Sequence, residues 1–318
     1  MNLTIGHIAR HTPSGSGAQG REAALIDIAQ DLLLTNLYEQ GFLDKVALKG
    51  GTGIRKLYAG NEGRFSIDLD FAVSTIDTNL DDVALEFISI VDGLQIEDFT
   101  YSVSDRRGKW YVGFRCQHSK DEILKTKLDF ASAPWTTPVR RGWVPMPIHN
   151  QYDNPLPQIL SVRLEENIAE KIARLNRTTT ARDLYDLNWI MENVSISRNL
   201  DKGLIRRLTV LKIWCDSNGV HCENMEWHTA HTATSFDPEY WLRDRNENEV
   251  DLEDIGTLAA PTPTAKDLLG RLQKNYAFLR ELDETEKIIS KSDERDRKVV
   301  LQALRGLPDK RFDGKILY

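Results

Sequence analysis

The chain contains 318 residues, of which 41% are hydrophobic and 28% are charged, a composition typical of a globular protein with a sizeable core and two structural units. No apolar run approaches the ~20 residues that cross a bilayer, and residues 1–20 lack the apolar core of a signal peptide, so we expect a cytoplasmic protein without a membrane partner. The net charge of −7 argues against a broad nucleic-acid-binding surface, and no DNA partner is expected. Residues 1–20 are predicted to form a flexible arm, followed by a helix over about residues 21–39.

A glycine-rich turn is the first candidate functional element along the chain. The apolar run that ends at Leu48 predicts a short strand, and Gly50, Gly51 and Thr52 follow it at the start of a predicted helix. Glycines let a backbone approach a phosphate closely, and unpaired N–H groups at a helix start attract anions. These three residues are therefore predicted to bind the triphosphate of a nucleotide, with a simple strand-to-helix turn as the alternative.

The next predicted strand carries two acidic residues in alternation. Asp68 and Asp70 project to the same face, whereas Leu69 and Phe71 project to the core. At a separation of about 6–7 Å and an effective dielectric of about 20, the two carboxylates repel by roughly 2–3 kcal/mol. A divalent cation removes this repulsion, and Mg²⁺ suits the pattern because it binds one or two carboxylates together with substrate phosphates. Asp68 and Asp70 are thus predicted to bind Mg²⁺ or Mn²⁺ beside a nucleoside triphosphate.

Ser66 precedes this pair on the same predicted face. Its hydroxyl could bind a phosphate oxygen or a metal-bound water, or it could form a local strand hydrogen bond.

The motifs KGGT, RFS and DLDF in this segment resemble those of the AbiEii/AbiGii and MenT toxin branch of the DNA polymerase β-like nucleotidyltransferase superfamily. The resemblance covers roughly residues 21–193. Thr52 stands where many superfamily members have serine. The resemblance implies a polymerase β-like domain with a mixed sheet, and an enzyme that transfers a nucleotide from a nucleoside triphosphate to an acceptor.

Superfamily members often have a third carboxylate on a neighbouring strand. The run from Ile123 to Ala131 is a plausible strand, and Asp129 is the candidate third metal ligand. The alternative is an edge strand with a solvated polar face, on which Lys127 pairs with Asp129.

Two charged residues farther along lie on the apolar faces of predicted helices. Lys171 shares a stripe with Leu164, Ile168 and Leu175, and Asp183 faces inward in the next helix. Buried charges are paired or bound to a ligand. The pattern therefore predicts either a functional pair or a structural ion pair that joins two helices.

The resemblance favours the functional interpretation. The segments AEK and RDLYDL resemble later motifs of the toxin branch, which implies that Lys171 contacts the triphosphate and that Asp183 acts in catalysis. Asp186 is a second candidate for the role of Asp183. Arg174 is a candidate phosphate contact, although a solvated arginine is the more common case.

The resemblance to the toxin branch implies a toxin of a bacterial toxin–antitoxin or phage-defence system, with a cognate antitoxin as partner. The acceptor that it implies is the 3′ end of tRNA, whose modification would block translation. The alternatives are transfer to a protein hydroxyl or to a small molecule such as an aminoglycoside, and a regulator that binds nucleotides without catalysis.

The predicted organisation is an α/β (α+β) nucleotidyltransferase domain over residues 21–195, followed by a mainly helical domain over residues 196–318. Three histidines in the second part, at His221, His228 and His231, resemble no strong zinc pattern, and solvated side chains are the simpler interpretation.

Overall fold

The computed structural model describes residues 3–119, 123–218, 235–243 and 245–309. The histidine cluster of the sequence analysis, His221, His228 and His231, lies outside these residues. The chain divides into two compact units. The first comprises Met1–Pro134, Pro138–Val162 and Gly256–Pro261, and the second comprises Trp135–Thr137, Arg163–Ile255 and Thr262–Tyr318. The domain limits given above, with a boundary near residue 195, stay a prediction.

An eight-stranded mixed sheet forms the first unit and confirms the predicted α/β fold. Its strands in chain order are β1 (Val46–Lys49), β2 (Asp68–Val73), β3 (Gln95–Ile96), β4 (Phe99–Arg106), β5 (Lys109–Arg115), β6 (Leu124–Ala131), β7 (Val139–Arg141) and β8 (Ile159–Ser161). Their order in the sheet is β3-β4-β5-β6-β2-β1-β8-β7. The pairs β2–β6 and β1–β8 are parallel, and the other neighbours are antiparallel.

The α-helices in the described part of the first unit are α1 (Ile5–His11), α2 (Gly17–Glu39), α3 (Gly50–Ile54) and α4 (Leu80–Val91). Helix α1 lies within the segment for which the sequence predicts a flexible arm. It forms because Thr4 and His7 make a reciprocal capping box at its start, and because Leu3 and Ile8 are buried.

The core of the first unit packs against one face of the sheet. Phe71 of β2 and Phe130 of β6 stack on each other and contact Phe87 of α4. Thr126 projects to the same face of β6 as Phe130 and accepts a hydrogen bond from Gln30 of α2 at 3.0 Å. Helices α2 and α4 therefore cover this face, and the polar residues of β2 and β6 project from the other.

A buried ionic cluster joins α2 to the helical turn that follows α3. Asp27 accepts hydrogen bonds from Arg55 Nε at 2.9 Å and Arg55 Nη2 at 2.8 Å, and it also pairs with Lys56 and His11. Lys56 Nζ lies 2.6 Å from Asp31 Oδ1. Burial acts to raise the pKa of Asp27, but the adjacent cations and hydrogen bonds hold it well below 3.8. The cluster fixes the segment between the glycine turn and β2 to α2.

The second unit is mainly helical, as the sequence predicts for the C-terminal part. Its helices are α5 (Leu164–Arg177), α6 (Ala181–Glu192), α7 (Val194–Ser197), α8 (Lys202–Asn218), α9 (Pro238–Arg243), α10 (Ala265–Asn275), α11 (Glu284–Lys291) and α12 (Arg297–Arg305). Across the described ranges, every helix is too short or too polar to cross a membrane.

Candidate active site

The candidate metal ligands lie together on one face of the sheet. Asp68 and Asp70 are half-buried at the start of β2 and project to the same side. In the parallel pairing of β2 with β6, Asp70 is the register partner of Asp129, and Asp68 is the partner of Lys127. Register partners on neighbouring strands project to the same face, so the three carboxylates and the ammonium group are neighbours.

Lys127 supplies a positive charge among the three aspartates. Its ammonium donates a hydrogen bond to Asp129, as one alternative of the sequence analysis predicts. That alternative also predicts an edge strand, and this part is wrong because β6 lies between β5 and β2. Burial acts to lower the pKa of Lys127, but the hydrogen bond to Asp129 and the charges of Asp129, Asp68 and Asp70 raise it above 10.5.

The described residues contain no group of three or more His, Cys, Asp or Glu side chains that converges closely enough to hold a metal ion. In this structure Lys127 thus partly neutralises the carboxylates that the sequence analysis assigns to the metal.

The two glycines of the turn pack closely against this site. Gly50 has φ +69°, a conformation that L side chains rarely adopt, and an added Cβ would overlap the Asp70 carboxylate. A Cβ at Gly51 would overlap the guanidinium of Arg64 and lie 2.9 Å from Ser66 Oγ. The absence of side chains at this turn therefore lets its backbone approach Asp70, Ser66 and Arg64.

Thr52 connects the turn to the acidic strand. Its side chain is fully buried, and its hydroxyl donates a hydrogen bond to the backbone carbonyl of Asp68. This bond fixes the start of β2 relative to α3. Contact of Thr52 with a phosphate stays a prediction.

The segment that leads into β2 is held from two sides. Arg55 Nη1 donates to the carbonyls of Gly60 and Gly63, each at 3.0 Å, and its guanidinium lies 3.7 Å from the centre of the Phe65 ring. The backbone N–H of Phe65 donates to the carbonyl of Thr257 at 2.9 Å. These contacts position the adjacent residues Arg64 and Ser66, both of which are buried.

Lys171 and Asp183 form a buried ion pair in the second unit. Lys171, only 2% exposed, lies on α5, and its Nζ is 2.7 Å from Asp183 Oδ1 and 2.9 Å from Asp186 Oδ2 on α6. The burial of both side chains confirms the inward orientation that the helical spacing predicts for Lys171 and Asp183. Both candidate carboxylates of the RDLYDL motif thus contact the same ammonium group.

Asp183 has two further partners. Arg174 Nη1 lies 3.4 Å from Asp183 Oδ2, and Thr180 Oγ1 donates to the same oxygen at 2.9 Å. Burial acts to raise the pKa of Asp183, but Lys171, Arg174 and the hydrogen bond from Thr180 lower it far below 3.8. Asp183 is therefore ionised at neutral pH, and Arg174, whose side chain is 40% exposed, is the accessible cation of the cluster.

Sequence reasoning predicted Lys127 only as a partner of Asp129, and it assigned no role in the site to two other cations of the first unit. Lys49 is the register partner of Asp70 on β1, and Arg64 lies against Gly51. The sequence feature that could have placed Lys49 in the site is its position directly before the glycine pair.

The fold is that of a nucleotidyltransferase toxin. The family model "Nucleotidyl transferase AbiEii toxin, Type IV TA system" matches residues 31–300, and the chain belongs to this family. The predicted family and the predicted enzyme class are thereby confirmed.

Among solved structures, the chain is similar to MenT4, nucleotidyltransferase toxin Rv2826c from Mycobacterium tuberculosis H37Rv. The two are 33% identical with a TM-score of 0.81, and the match covers 96% of this chain and 99% of that chain. No curated protein matches the chain.

Proposed function

We propose that this toxin transfers a nucleotide from a nucleoside triphosphate to the 3′ end of tRNA, in a reaction that depends on Mg²⁺ and that blocks translation. The observation that carries the proposal is the juxtaposition of Asp68, Asp70 and Asp129 on one sheet face with a glycine turn packed against Asp70.

The donor set fits a divalent cation by its chemistry, and the three carboxylates would converge on the ion when it binds. Asp68, Asp70 and Asp129 offer carboxylate oxygens, the ligand type that Mg²⁺ and Mn²⁺ prefer. The three carboxylates already attract one positive charge, that of Lys127. These aspartates would hold the metal, which supplies charge neutralisation for the phosphates and activation of the acceptor hydroxyl when bound.

The residues of the turn would bind and orient the triphosphate. Gly50 and Gly51 let the backbone of the turn lie directly against Asp70, Ser66 and Arg64, so its N–H groups would face a triphosphate held at these residues. Arg64, positioned by the contacts of Phe65 with Arg55 and Thr257, would add positive charge next to Gly51. Release of Asp129 by Lys127 would accompany binding, because the ammonium group and the metal compete for the same carboxylates.

In the second unit, Lys171 and Arg174 are the proposed phosphate contacts. Asp183 and Asp186 hold the Lys171 ammonium, so a phosphate would share its positive charge with these two carboxylates. Asp183 is the proposed catalytic carboxylate, since it is buried, ionised and held by three partners.

The choice of tRNA rests on the family. The chain belongs to a toxin family of type IV toxin–antitoxin systems, which implies a cognate antitoxin and a cellular target whose modification stops growth. A tRNA 3′ end supplies an acceptor hydroxyl, and an extended acceptor stem would block aminoacylation.

The test is transfer of label from each α-³²P-labelled nucleoside triphosphate to total tRNA, in the presence and absence of Mg²⁺. The decisive variant is Asp70→Ala. Its matched control is Asp105→Ala, which removes the same charge at the exposed turn between β4 and β5, where Asp105 accepts a hydrogen bond from the Gly108 N–H.

Label on tRNA that requires Mg²⁺ and Asp70, and that persists in Asp105→Ala, would support Mg²⁺-dependent nucleotidyl transfer to tRNA at this site. Label on protein instead of RNA would refute the acceptor. Equal labelling by Asp70→Ala and the wild-type protein would refute the assignment of the site.

A further inference from the structure

The second unit contains a polar pocket that the proposed reaction does not use. Its volume is about 330 Å³, within the ~300–1,000 Å³ range of small-molecule sites. The pocket lies between the C-terminal end of α5, the residues that follow it, and the segment that begins with α9. Its lining includes two arginines, two aromatic side chains, two threonines, one asparagine and one glutamate, namely Arg177, Arg245, Tyr240, Trp241, Thr178, Thr179, Asn176 and Glu249.

Arg245 is held rigidly in this pocket. Its Nε donates to the carbonyl of Trp241 at 3.0 Å, and its Nη1 donates to the carbonyl of Leu175 at 3.0 Å and to Thr179 Oγ1 at 2.9 Å. The guanidinium also lies 4.8 Å from the centre of the buried Trp241 ring. Its Nη2 makes no hydrogen bond to any described residue, so two N–H groups remain for a ligand.

Among the described residues, Arg245 has no carboxylate partner for its positive charge. All of its hydrogen bonds go to neutral oxygens, and within the described ranges no carboxylate lies within 4 Å of its nitrogens. Burial lowers the pKa of Arg245 to about 10, because the charged form loses hydration. A half-buried cation of this kind gains stability when an anion binds beside it. Arg177 already has a partner, since its Nε lies 3.5 Å from Asp216 Oδ2.

The rest of the lining suits a nucleoside better than a bare anion. The side chain of Tyr240 is 54% exposed, so its ring is available to stack on a base. Asn176, Thr178 and Glu249 offer groups that can bond sugar hydroxyls or base edges. Glu249 would repel a phosphate placed beside it, so the phosphate is expected at the Arg245 end.

The pocket is also connected to the Lys171 cluster by the segment between α5 and α6. Thr179 accepts the hydrogen bond from Arg245, and its neighbour Thr180 donates to Asp183. A ligand in the pocket would therefore contact a wall that includes Thr179. The next residue, Thr180, is a hydrogen-bond partner of Asp183, the proposed catalytic carboxylate.

We propose that this pocket binds one phosphate-bearing nucleoside unit of the RNA acceptor, with the phosphate on Arg245 and the base on Tyr240. The inference rests on the proposed function, because the proposed acceptor is an RNA, a chain of such units. A free nucleoside monophosphate shares the same chemistry and is the other source.

The first experiment measures equilibrium binding of a fluorescein-labelled single-stranded RNA hexamer to the full chain by anisotropy, without nucleoside triphosphate and over a range of salt concentrations. Arg245→Ala is expected to weaken binding about tenfold and to reduce the slope of log K against log salt by about 0.7. Tyr240→Ala is expected to weaken binding about tenfold with an unchanged slope, because stacking carries no charge.

The matched control is Arg243→Ala. Arg243 is the last residue of α9 and lies two residues before Arg245, but it is exposed and paired with Glu239. It should change binding less than about twofold. Arg245→Lys, which keeps the charge but loses the fork of donors, distinguishes loss of binding from loss of folding if Arg245→Ala is unstable.

The second experiment measures binding of AMP, CMP, GMP and UMP to the same variants by calorimetry. Loss of hexamer binding in Arg245→Ala and Tyr240→Ala but not in Arg243→Ala supports the RNA unit. Loss of monophosphate binding alone identifies the free nucleotide as the ligand. If the variants bind both probes like the wild-type protein, or if the wild-type protein binds neither, the pocket assignment is overturned. These outcomes are independent of the labelling of tRNA, which tests Asp70.

Discussion

Removal of the Asp27 carboxylate is expected to destabilise the first unit severely. Asp27 is 1% exposed and is the common partner of Arg55, Lys56 and His11. In Asp27→Ala, Arg55 loses the carboxylate that it binds, whereas Lys56 keeps the carboxylate of Asp31, which also accepts a hydrogen bond from Tyr152 at 2.7 Å. The buried guanidinium of Arg55 then retains only uncharged partners among the described residues, chiefly the carbonyls of Gly60 and Gly63.

Breaking a buried ion pair by removal of one partner costs about 3–5 kcal/mol. With a typical slope of about 2 kcal/mol per molar urea, this loss lowers the urea midpoint of the first unit by about 2 M. The matched control is Asp44→Ala, which breaks the exposed pair with Arg140. Such pairs contribute about 0–1 kcal/mol, so the midpoint of the control should stay close to that of the wild-type protein.

The dependence of the free energy of unfolding on pH gives a second test of the role of Asp27. The folded pKa of Asp27 is well below its unfolded value, so its stabilisation is fully present above about pH 4 and is lost as pH falls through the folded pKa. The assay is urea unfolding followed by near-ultraviolet circular dichroism from pH 3 to pH 8. The difference between the wild-type protein and Asp27→Ala should be constant from pH 5 to pH 8 and smaller at pH 3. A loss below 1 kcal/mol at pH 7, or a difference that grows as pH falls, would refute the charge argument.

Three further outcomes are expected. Gly50→Ala should lower nucleotidyl transfer about a hundredfold, because its Cβ would displace the Asp70 carboxylate. The control Gly53→Ala, whose Cβ would meet no atom closer than 3.6 Å, should retain activity within about twofold. Equal rates of the two variants in a labelling assay would contradict this prediction. Asp129→Asn should raise the Mg²⁺ concentration for half-maximal activity at least about tenfold, and an unchanged Mg²⁺ titration would remove Asp129 from the ligands. Asp183→Asn should destabilise the protein more at pH 7 than at pH 3, since its pKa is lowered in the folded state and its stabilisation is lost as pH falls; urea midpoints at both pH values decide this.

The local patterns of the sequence predict the elements of the site. Alternation around Asp68 and Asp70 predicts strand β2, and the helical spacing of Leu164, Ile168 and Lys171 predicts α5 with an inward lysine. These predictions succeed because each depends on neighbours within a few residues.

Pairing over long distances could not be predicted. The register that brings Asp129 beside Asp70 depends on which strands become neighbours, and no local pattern encodes that choice. The same holds for Asp27 and Arg55, which are 28 residues apart in the chain and would each suit an exposed helix face. Helix α1 was missed for a similar reason, because its stability depends on burial of Leu3 and Ile8 against the first unit.

The hydrogen bond from the Phe65 N–H to the Thr257 carbonyl links the entry to β2 with a segment late in the chain. Residues 256–261 return to the first unit after the chain has built most of the second. A nascent chain released before residue 257 therefore lacks one of the contacts that position Arg64 and Ser66. The order of synthesis thus delays completion of the segment that leads into the acidic strand until most of the protein has been made, and an amino-terminal fragment made alone would lack this contact.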